Sequence, residues 1–231
     1  MVTAKQEYLD READAWFERN KSAMEKKEVS IGTKFFADFF QRTLDSQNKQ
    51  KKVLEIGCSF GYNLAFLSKL FPNIINTGLE PSLKAVEYGS KKYAELIIQD
   101  RLHLFRGTAD ALPFNDLSFD VILIGFCLYQ ADRNLLSKIV SEIDRCLRYE
   151  SFLVITDFDV LFNVKKINKH NASTPTFKQN YAKLFERLGY SLVEKTTYNA
   201  DSLEKRVFPT EMDNRISTQI LYKEKIEDVY Q

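Results

Sequence analysis

The chain has 231 residues, of which 44% are hydrophobic and 28% are charged, the composition of an ordinary globular protein. Its formal net charge of +1 gives no global attraction to nucleic acid or to an anionic membrane. The three cysteines, Cys58, Cys127 and Cys146, are widely spaced and odd in number, which favours a reducing compartment and gives no zinc-binding spacing. The first residues are too charged for a signal peptide, and no apolar run reaches membrane-spanning length. We therefore expect a cytoplasmic protein without a membrane segment.

The first part of the chain predicts two amphipathic helices, over residues 6–20 and 30–44. The second helix carries an apolar stripe of phenylalanines at helical spacing: Phe35, Phe36, Phe39 and Phe40. We expect this stripe to cover a sheet of the same chain or to form a dimer contact. A polar run follows and predicts a linker, so residues 1–48 are expected to form an N-terminal helical lid or cap.

From residue 49 onward, predicted strands and helices alternate along the chain. The strands are expected at residues 53–56, 74–79, 102–105, 121–124 and 152–156. The helices are expected at residues 62–71, 81–96 and 135–147. Such repeats predict right-handed crossovers and a doubly wound, mostly parallel sheet.

The last third of the chain has a different pattern. Residues 158–178 show no clean period and predict an irregular insertion. A helix is expected over 178–190, followed by β-rich runs at 191–198 and 215–225. Paired at the edge as an antiparallel hairpin, these two runs would complete a seven-stranded α/β sheet.

The segment VLEIGCSFG joins the first predicted strand to the next helix. Gly57 and Gly61 let the backbone approach a ligand, and the helix N-terminus adds unpaired N–H groups. A dinucleotide-binding turn needs three glycines in the pattern G-x-G-x-x-G, but Ser59 and Tyr62 occupy the second and third positions. The Gly-Lys-Ser/Thr end of a P-loop is absent as well. Glu55, at the end of the strand, suits a ligand with an ammonium group instead.

This segment resembles the first motif of the class I S-adenosylmethionine-dependent methyltransferases, whose usual form is V-L-E/D-I-G-C-G-x-G. Three later segments, NTGLEPS, GTADALPF and SFDVILIGFCLYQADR, are similar to further motifs of that family in the same order. The resemblance covers roughly residues 52–157 and implies a Rossmann-like fold, S-adenosylmethionine as cofactor and S-adenosylhomocysteine as product. It implies that the cofactor is held by Glu55, Gly57, Cys58, Ser59, Gly61, Asn63, Glu80, Pro81, Asp110, Ala111, Leu112 and Phe126.

The resemblance gives particular roles to two acids. Glu80 would accept hydrogen bonds from the ribose hydroxyls, and Asp110 would contact the adenine amino group, with Ala111 and Leu112 beside the ring. Taken singly, Glu80 and Asp110 could instead be exposed loop acids or helix caps. Both follow predicted strands, where open α/β sheets bind their ligands, and this position favours the binding interpretation.

A general base is needed only if the methyl acceptor is a weak nucleophile, such as a sugar hydroxyl. Many family members have histidines in the loop after the fourth strand, where this chain has Tyr129 and Gln130. The candidate catalytic residues are therefore Tyr129, His170 in the insertion and Asp157 after the fifth strand, with Asp159 beside it. The alternatives are an exposed loop histidine and aspartates that cap the next segment. We expect no metal site.

A looser similarity to methyltransferases of bacterial surface sugars favours O-methylation of a small-molecule or sugar-type acceptor, including a sugar nucleotide. Residues 49–231 would then form the methyltransferase domain, with an acceptor-side insertion around 158–178. The alternatives are a nucleic-acid or protein methyltransferase and a methyltransferase-like binding domain without turnover. Near-neutral charge and the lack of an Asn/Asp-Pro-Pro-Tyr segment argue against nucleic acid. The sequence leaves open the acceptor, the pathway and the choice between monomer and homodimer.

Overall fold

The computed structural model describes residues 12–43, 50–167, 175–199 and 214–226. The helices are α1 (Ala13–Glu25), α2 (Ile31–Thr43), α3 (Tyr62–Leu70), α4 (Leu83–Lys92), α5 (Ala94–Ile98), α6 (Leu136–Cys146) and α7 (Ala182–Glu186). The strands are β1 (Lys51–Ile56), β2 (Ile74–Glu80), β3 (Leu102–Arg106), β4 (Phe119–Gly125), β5 (Leu147–Phe158), β6 (Val164–Lys166), β7 (Thr176–Lys178), β8 (Tyr190–Asn199) and β9 (Arg215–Lys223). None of the helices in these ranges combines the length and the apolar character that a membrane crossing requires.

Seven strands form one sheet in the order β3-β2-β1-β4-β5-β9-β8. The first five are parallel, and β9 runs antiparallel between β5 and β8. This arrangement confirms the predicted seven-stranded, mostly parallel α/β sheet with an antiparallel pair at the edge. The strand order reverses between β1 and β4, so the chain leaves these neighbours in opposite directions and opens a crevice at their carboxyl ends.

Four predicted elements differ from the structure. The first helix, expected over 6–20, is α1 at Ala13–Glu25, and residues 6–11 lie outside the described residues. The helix expected over 81–96 is interrupted at Tyr93, which leaves helical geometry and separates α4 from α5. The insertion at 158–178, expected to be irregular, contains the paired strands β6 and β7. Each of these strands has three residues, too few to show a period in the sequence. The helix expected over 178–190 is reduced to α7, because Lys178 belongs to β7.

Helix α2 covers one face of the sheet with the phenylalanine stripe. Phe36, Phe39 and Phe40 are buried in the chain's own core. The Phe39 ring meets Phe152 of β5 at a centroid distance of 5.2 Å, and Phe40 meets Phe71 at 5.3 Å. Both contacts are edge-to-face, the arrangement that aromatic quadrupoles favour. The stripe therefore packs within the chain.

Helix α1 packs on α4 and on the turn after β1. The Phe17 ring lies 6.3 Å from Phe60 and 6.0 Å from Tyr88, measured between centroids. The Lys21 ammonium lies 3.8 Å from the centroid of the Tyr88 ring, a cation–π contact. Aromatic packing thus fixes α1 next to the glycine turn.

Gly32 allows α2 to approach β5 closely. A Cβ atom at this position would lie 1.9 Å from Thr156 Oγ1. We expect Gly32→Ala to push α2 away from the sheet and to lower the free energy of unfolding by about 1–3 kcal/mol, measured by urea denaturation. Gly125→Ala is the control, because a Cβ there would meet no heavy atom within 4 Å. Equal stability of the two variants would contradict this packing.

Candidate functional site

A cavity of about 350 Å³ lies at the carboxyl ends of β1 and β2, beside the segments that follow β3 and β4. Its wall includes Ile56, Gly57, Pro81, Asp110, Cys127 and Phe177. The volume is within the usual range for small-molecule sites, about 300–1,000 Å³. Because the cavity lies where the strand order reverses, it is the candidate ligand site.

The turn after β1 has a left-handed backbone at three positions. The φ angles are +74° at Gly57, +50° at Ser59 and +82° at Gly61. The backbone N–H groups of Gly57 and Cys58 donate to Leu79 O of β2, at 2.8 and 3.3 Å. Two of the three positions are glycines, which adopt this geometry freely, whereas Ser59 bears a cost of about 1–2 kcal/mol.

Glu55 is buried at the end of β1 and has one hydrogen-bond donor. Its Oε1 accepts from Asn63 Nδ2 at 2.6 Å, and Asn63 Oδ1 accepts in turn from Ser30 N at 2.8 Å. Its Oε2 is buried and has no partner among the residues described. Burial raises the pKa of Glu55 to about 8, with a further upward contribution from Glu80 and a downward one from Asn63. In its ionised form, Glu55 therefore lacks a donor at Oε2.

Glu80 is buried at the end of β2 and is held by the backbone. Its Oε2 accepts from Ser59 N at 2.9 Å, and its Oε1 accepts from Ser82 N at 3.0 Å. Burial raises the pKa of Glu80 to about 7; the two N–H groups lower it and the charge of Asp14 raises it. The carboxylate is thereby fixed between the glycine turn and the start of α4.

The segment after β3 places Asp110 in the cavity wall. Ala111 is exposed and Leu112 is buried beside it. Leu112 N donates to Glu142 Oε2 at 2.8 Å, and Leu112 O accepts from Arg145 Nη2 at 3.1 Å. Glu142 and Arg145 also pair with each other, at 2.8 Å. This ion pair on α6 therefore holds the segment that carries Asp110.

The turn after β4 contains two predicted site residues, Phe126 and Tyr129. Phe126 has a φ of +50°, and its N–H donates to Thr156 O at 2.8 Å. The Tyr129 ring packs edge-to-face on Phe158, with centroids 5.1 Å apart, and its hydroxyl accepts from Gln130 Nε2 at 3.0 Å. Burial raises the pKa of Tyr129 to about 12, so the phenol is neutral at physiological pH.

Asp157 caps the same turn from β5. Its Oδ2 accepts from Tyr129 N at 3.3 Å and its Oδ1 accepts from Phe158 N at 2.7 Å. Burial raises the pKa of Asp157 to about 7, against the opposing effect of these backbone donors and of Leu128 N–H. Asp157 therefore accepts backbone hydrogen bonds from this turn and also exchanges a proton near neutral pH.

The remaining candidates are separated from this turn. Asp159 is buried and pairs with Lys195 at 2.8 Å and with Arg215 at 3.2 Å, so it joins the end of β5 to β8 and β9. His170 lies outside the described residues. Within the described ranges, no group of three potential metal ligands occurs.

Three of the predicted cofactor residues line the cavity: Gly57, Pro81 and Asp110. Six others are buried: Glu55, Cys58, Ser59, Asn63, Glu80 and Leu112. Gly61 ends the glycine turn, while Ala111 and Phe126 extend the segments after β3 and β4.

The sequence did not single out the rim of the cavity. Arg133 and Phe177 line it together, with the Arg133 guanidinium 5.5 Å from the centroid of the Phe177 ring. Arg133 Nη1 donates to Gln179 Oε1 at 2.9 Å. These residues belong to segments more than forty positions apart, so no local pattern connects them. Ser82, by contrast, carried a local signal, because it follows Pro81 at a predicted helix start.

Comparison with known proteins agrees with this geometry. A family model described as a methyltransferase domain matches residues 53–150. The match runs from β1 to the start of β5. The demethylmenaquinone methyltransferase of Staphylococcus aureus is 28% identical over 176 residues, 69% of this chain and 66% of that protein. An uncharacterized protein of Haemophilus influenzae is 26% identical over 155 residues, 64% of this chain and 61% of its own length. The chain thus spans less than two thirds of the length of each of these relatives.

Solved structures share the fold of this chain. One is the 1,6-didemethyltoxoflavin-N1-methyltransferase of Burkholderia thailandensis, with bound 1,6-didemethyltoxoflavin and S-adenosylhomocysteine. Its TM-score is 0.67 at 13% identity, and the alignment covers 97% of this chain and 92% of that one. A putative methyltransferase of Haloferax volcanii, in complex with the Trm112 activator, gives 0.65 at 19% identity, covering 94% and 99%. At these identities the likeness concerns the fold.

The buried carboxyl of Asp157 predicts a pH-dependent stability. Because its pKa is raised from 3.8 to about 7, the folded protein keeps a proton that the unfolded chain releases. The contribution of Asp157 to the free energy of unfolding is therefore fully present below the pKa of the unfolded chain and is lost as pH rises through about 7. Asp157→Asn keeps an acceptor oxygen but cannot ionise, so its stability relative to wild type should increase between about pH 5 and pH 8 in urea denaturation.

The exposed Glu87 of α4 provides the control for this measurement. Glu87→Gln should follow the wild-type stability at both pH values. If the free energies of unfolding of the wild type and of Asp157→Asn change equally with pH, Asp157 does not hold a proton in the folded state.

Proposed function

We propose that the protein transfers a methyl group from S-adenosylmethionine to the oxygen of a small-molecule or sugar-type acceptor, in the cytoplasm, as a monomer or homodimer. The cofactor part rests on one observation: Glu55 and Glu80 are buried at the ends of neighbouring strands beside the glycine turn. The Staphylococcus relative is named for demethylmenaquinone, and the Burkholderia structure contains 1,6-didemethyltoxoflavin. Both names support a small-molecule acceptor.

The unpartnered atoms at the turn fit this cofactor. Within the described part of the chain, Glu55 Oε2 and Ser59 Oγ are buried without a hydrogen-bond partner. An ammonium group beside Glu55 would supply the missing donor and offset the cost of burying an unpaired carboxyl oxygen. We assign the amino-acid end of the cofactor to Glu55, with Asn63 holding that side chain. Backbone contacts are assigned to the turn itself: Gly57, Cys58, Ser59 and Gly61.

The sugar and the base are assigned to the next two strand ends. Each Glu80 oxygen already accepts one backbone N–H and retains capacity for a ribose hydroxyl. A carboxylate that accepts from adjacent hydroxyls forms charge-assisted bonds. We assign Asp110 to the adenine amino group. The surroundings of the base and ribose are assigned to Pro81, Ala111, Leu112 and Phe126.

The chemistry asks mainly for alignment. When bound, S-adenosylmethionine supplies a methyl group on a positively charged sulfur, which is already activated for transfer. The protein must hold the acceptor lone pair in line with that carbon and exclude water. Apolar side chains in the wall, including Ile56, Leu79, Ile139 and Phe177, favour the exclusion of water.

A hydroxyl acceptor must also lose its proton, and three residues are candidates for this step. Asp157 has a pKa of about 7 and can accept a proton near neutrality. Tyr129, neutral with a pKa of about 12, can orient the acceptor hydroxyl. His170 is the third candidate, as the sequence predicts.

Transfer from methyl-labelled S-adenosylmethionine tests the proposal. The acceptor panel would contain hydroxylated aromatic compounds, quinones, sugars and sugar nucleotides, with bulk RNA and protein as competing classes. Label on a small hydroxylated compound, lost in a folded Asp157→Asn variant, is the expected result. Label on RNA or protein would overturn the acceptor class. Cofactor binding without transfer to any acceptor would favour a binding domain without turnover.

Truncation of the ribose carboxylate should weaken cofactor binding. We expect Glu80→Ala to raise the Kd for S-adenosylmethionine about ten-fold or more, because a charge-assisted hydrogen bond contributes about 1.5–3 kcal/mol. Isothermal titration calorimetry at about pH 8 measures this change. The exposed Glu87 of the adjacent helix α4 is the control, and Glu87→Ala should bind normally. Unchanged affinity of Glu80→Ala would contradict the ribose assignment.

Binding should also release protons near pH 7. Free Glu55, with a pKa of about 8, is mostly protonated there, whereas a bound ammonium group favours its carboxylate. Affinity should therefore rise from about pH 6 to pH 8, and calorimetry in buffers of different ionisation enthalpy should detect the released protons. Glu55→Gln should release fewer protons than wild type. Equal release by the two proteins would remove Glu55 from the ammonium site.

A further inference from the structure

Helix α1 reaches the buried carboxylate of Glu80 through a single intermediate residue. Asp14 Oδ1 accepts from Ser82 Oγ at 2.6 Å and from Lys84 N at 3.2 Å. Ser82 N donates to Glu80 Oε1 at 3.0 Å. Asp14 and Ser82 are 68 positions apart, so this relay exists only in the folded chain.

Ser82 depends on Asp14 for its orientation. Its hydroxyl oxygen accepts from Ala85 N at 3.1 Å as the N-cap of α4, and its one O–H donates to Asp14. The hydroxyl is thus held from two sides while the backbone N–H of the same residue points at Glu80. Asp14 also accepts from Lys84 N–H, one of the helix donors that have no partner inside α4. It therefore completes the cap of α4 from another helix.

Asp14 is held in this position by the packing of α1. Phe17 lies in the aromatic cluster with Phe60 and Tyr88, one turn further along the helix. Glu18 pairs with Lys84 at 3.2 Å on the exposed side of the same contact. The carboxylate of Asp14 is thus attached to a docked helix.

We propose that Asp14 is a positioning residue for the ribose site, an inference that rests on the proposed function. It acts through Ser82 on Glu80 and does not itself touch the cofactor. Docking of α1 and affinity for the cofactor are consequently coupled, so that loosening this contact weakens binding.

The charge of Asp14 gives this role a measurable signature. Burial is the largest cause of the raised pKa of Glu80, and the negative charge of Asp14 raises this pKa further. The charged and titratable groups around Glu80 come from several elements: Asp14, Glu55, Cys58, Lys84, Arg106 and Cys127. Replacing Asp14 by asparagine keeps an acceptor oxygen for Ser82 but removes one negative charge. Glu80 should then ionise at lower pH, and cofactor binding should reach its plateau at lower pH.

The test is calorimetry of S-adenosylmethionine binding to the full chain between about pH 6 and pH 8. Asp14→Ala should raise the Kd about 3- to 10-fold, in the range of one hydrogen bond. Ser82→Ala should have a similar effect, and the double variant should be no weaker than the single ones, because both remove the same relay. Asp14→Asn should bind as wild type at about pH 8, with its pH midpoint displaced downward.

Glu18→Ala is the matched control, since it removes a contact between the same two helices without touching the relay. It should stay within about two-fold of the wild-type Kd. An Asp14→Ala variant that binds like Glu18→Ala, or an Asp14→Asn variant with an unmoved pH midpoint, overturns this inference alone. A wild type that binds no S-adenosylmethionine overturns the proposed function and the inference together. If Asp14→Ala does not fold, the pH midpoint of S-adenosylmethionine binding to Asp14→Asn decides the question.

Discussion

Two carboxylates are buried at the carboxyl ends of neighbouring parallel strands, and much of the surrounding structure keeps them there. Burial penalises their charged forms, so each carboxylate needs donors to remain in place. Glu80 has two backbone N–H groups, from Ser59 and Ser82. Glu55 has one donor, from Asn63, and one unpartnered oxygen. Both oxygens of Glu80 therefore have a donor within the chain, whereas Glu55 lacks one on the side that we assign to the ammonium group.

The N-terminal helices support both carboxylates through single intermediates. Asp14 of α1 reaches Glu80 through Ser82, and the start of α2 reaches Glu55 through Asn63. The apolar stripe of α2 holds that helix on the sheet, while the aromatic cluster holds α1 on α4. In the described part of the chain, α1 and α2 contribute no residue to the cavity wall. They contact the two acids indirectly, through Ser82 and Asn63. According to the proposal for Asp14, the docking of α1 and the geometry of Glu80 depend on each other.

The fold could be predicted because its signals are local. Apolar runs such as 121–124 mark buried parallel strands, and the glycine turn marks the first strand end. The hairpin of β6 and β7 could not be predicted, because three-residue strands are defined by their pairing and not by a period. The same limit applies to the site: motif spacing indicates Glu55 and Glu80, but the Asp14–Ser82 contact joins residues 68 positions apart. Only the tertiary fold brings such groups together.

Ser59 lies in the glycine turn, at a position where the methyltransferase motif that this segment resembles usually has glycine. Its backbone N–H donates to Glu80, a bond that glycine would make equally well. Its left-handed φ of +50° has a conformational cost of about 1–2 kcal/mol that glycine would avoid. Serine differs from glycine only by its hydroxymethyl group, and Ser59 Oγ is buried without a partner in the described chain. A polar ligand group at the turn would give this hydroxyl a hydrogen-bond partner, which supports the proposed binding of the cofactor against Ser59.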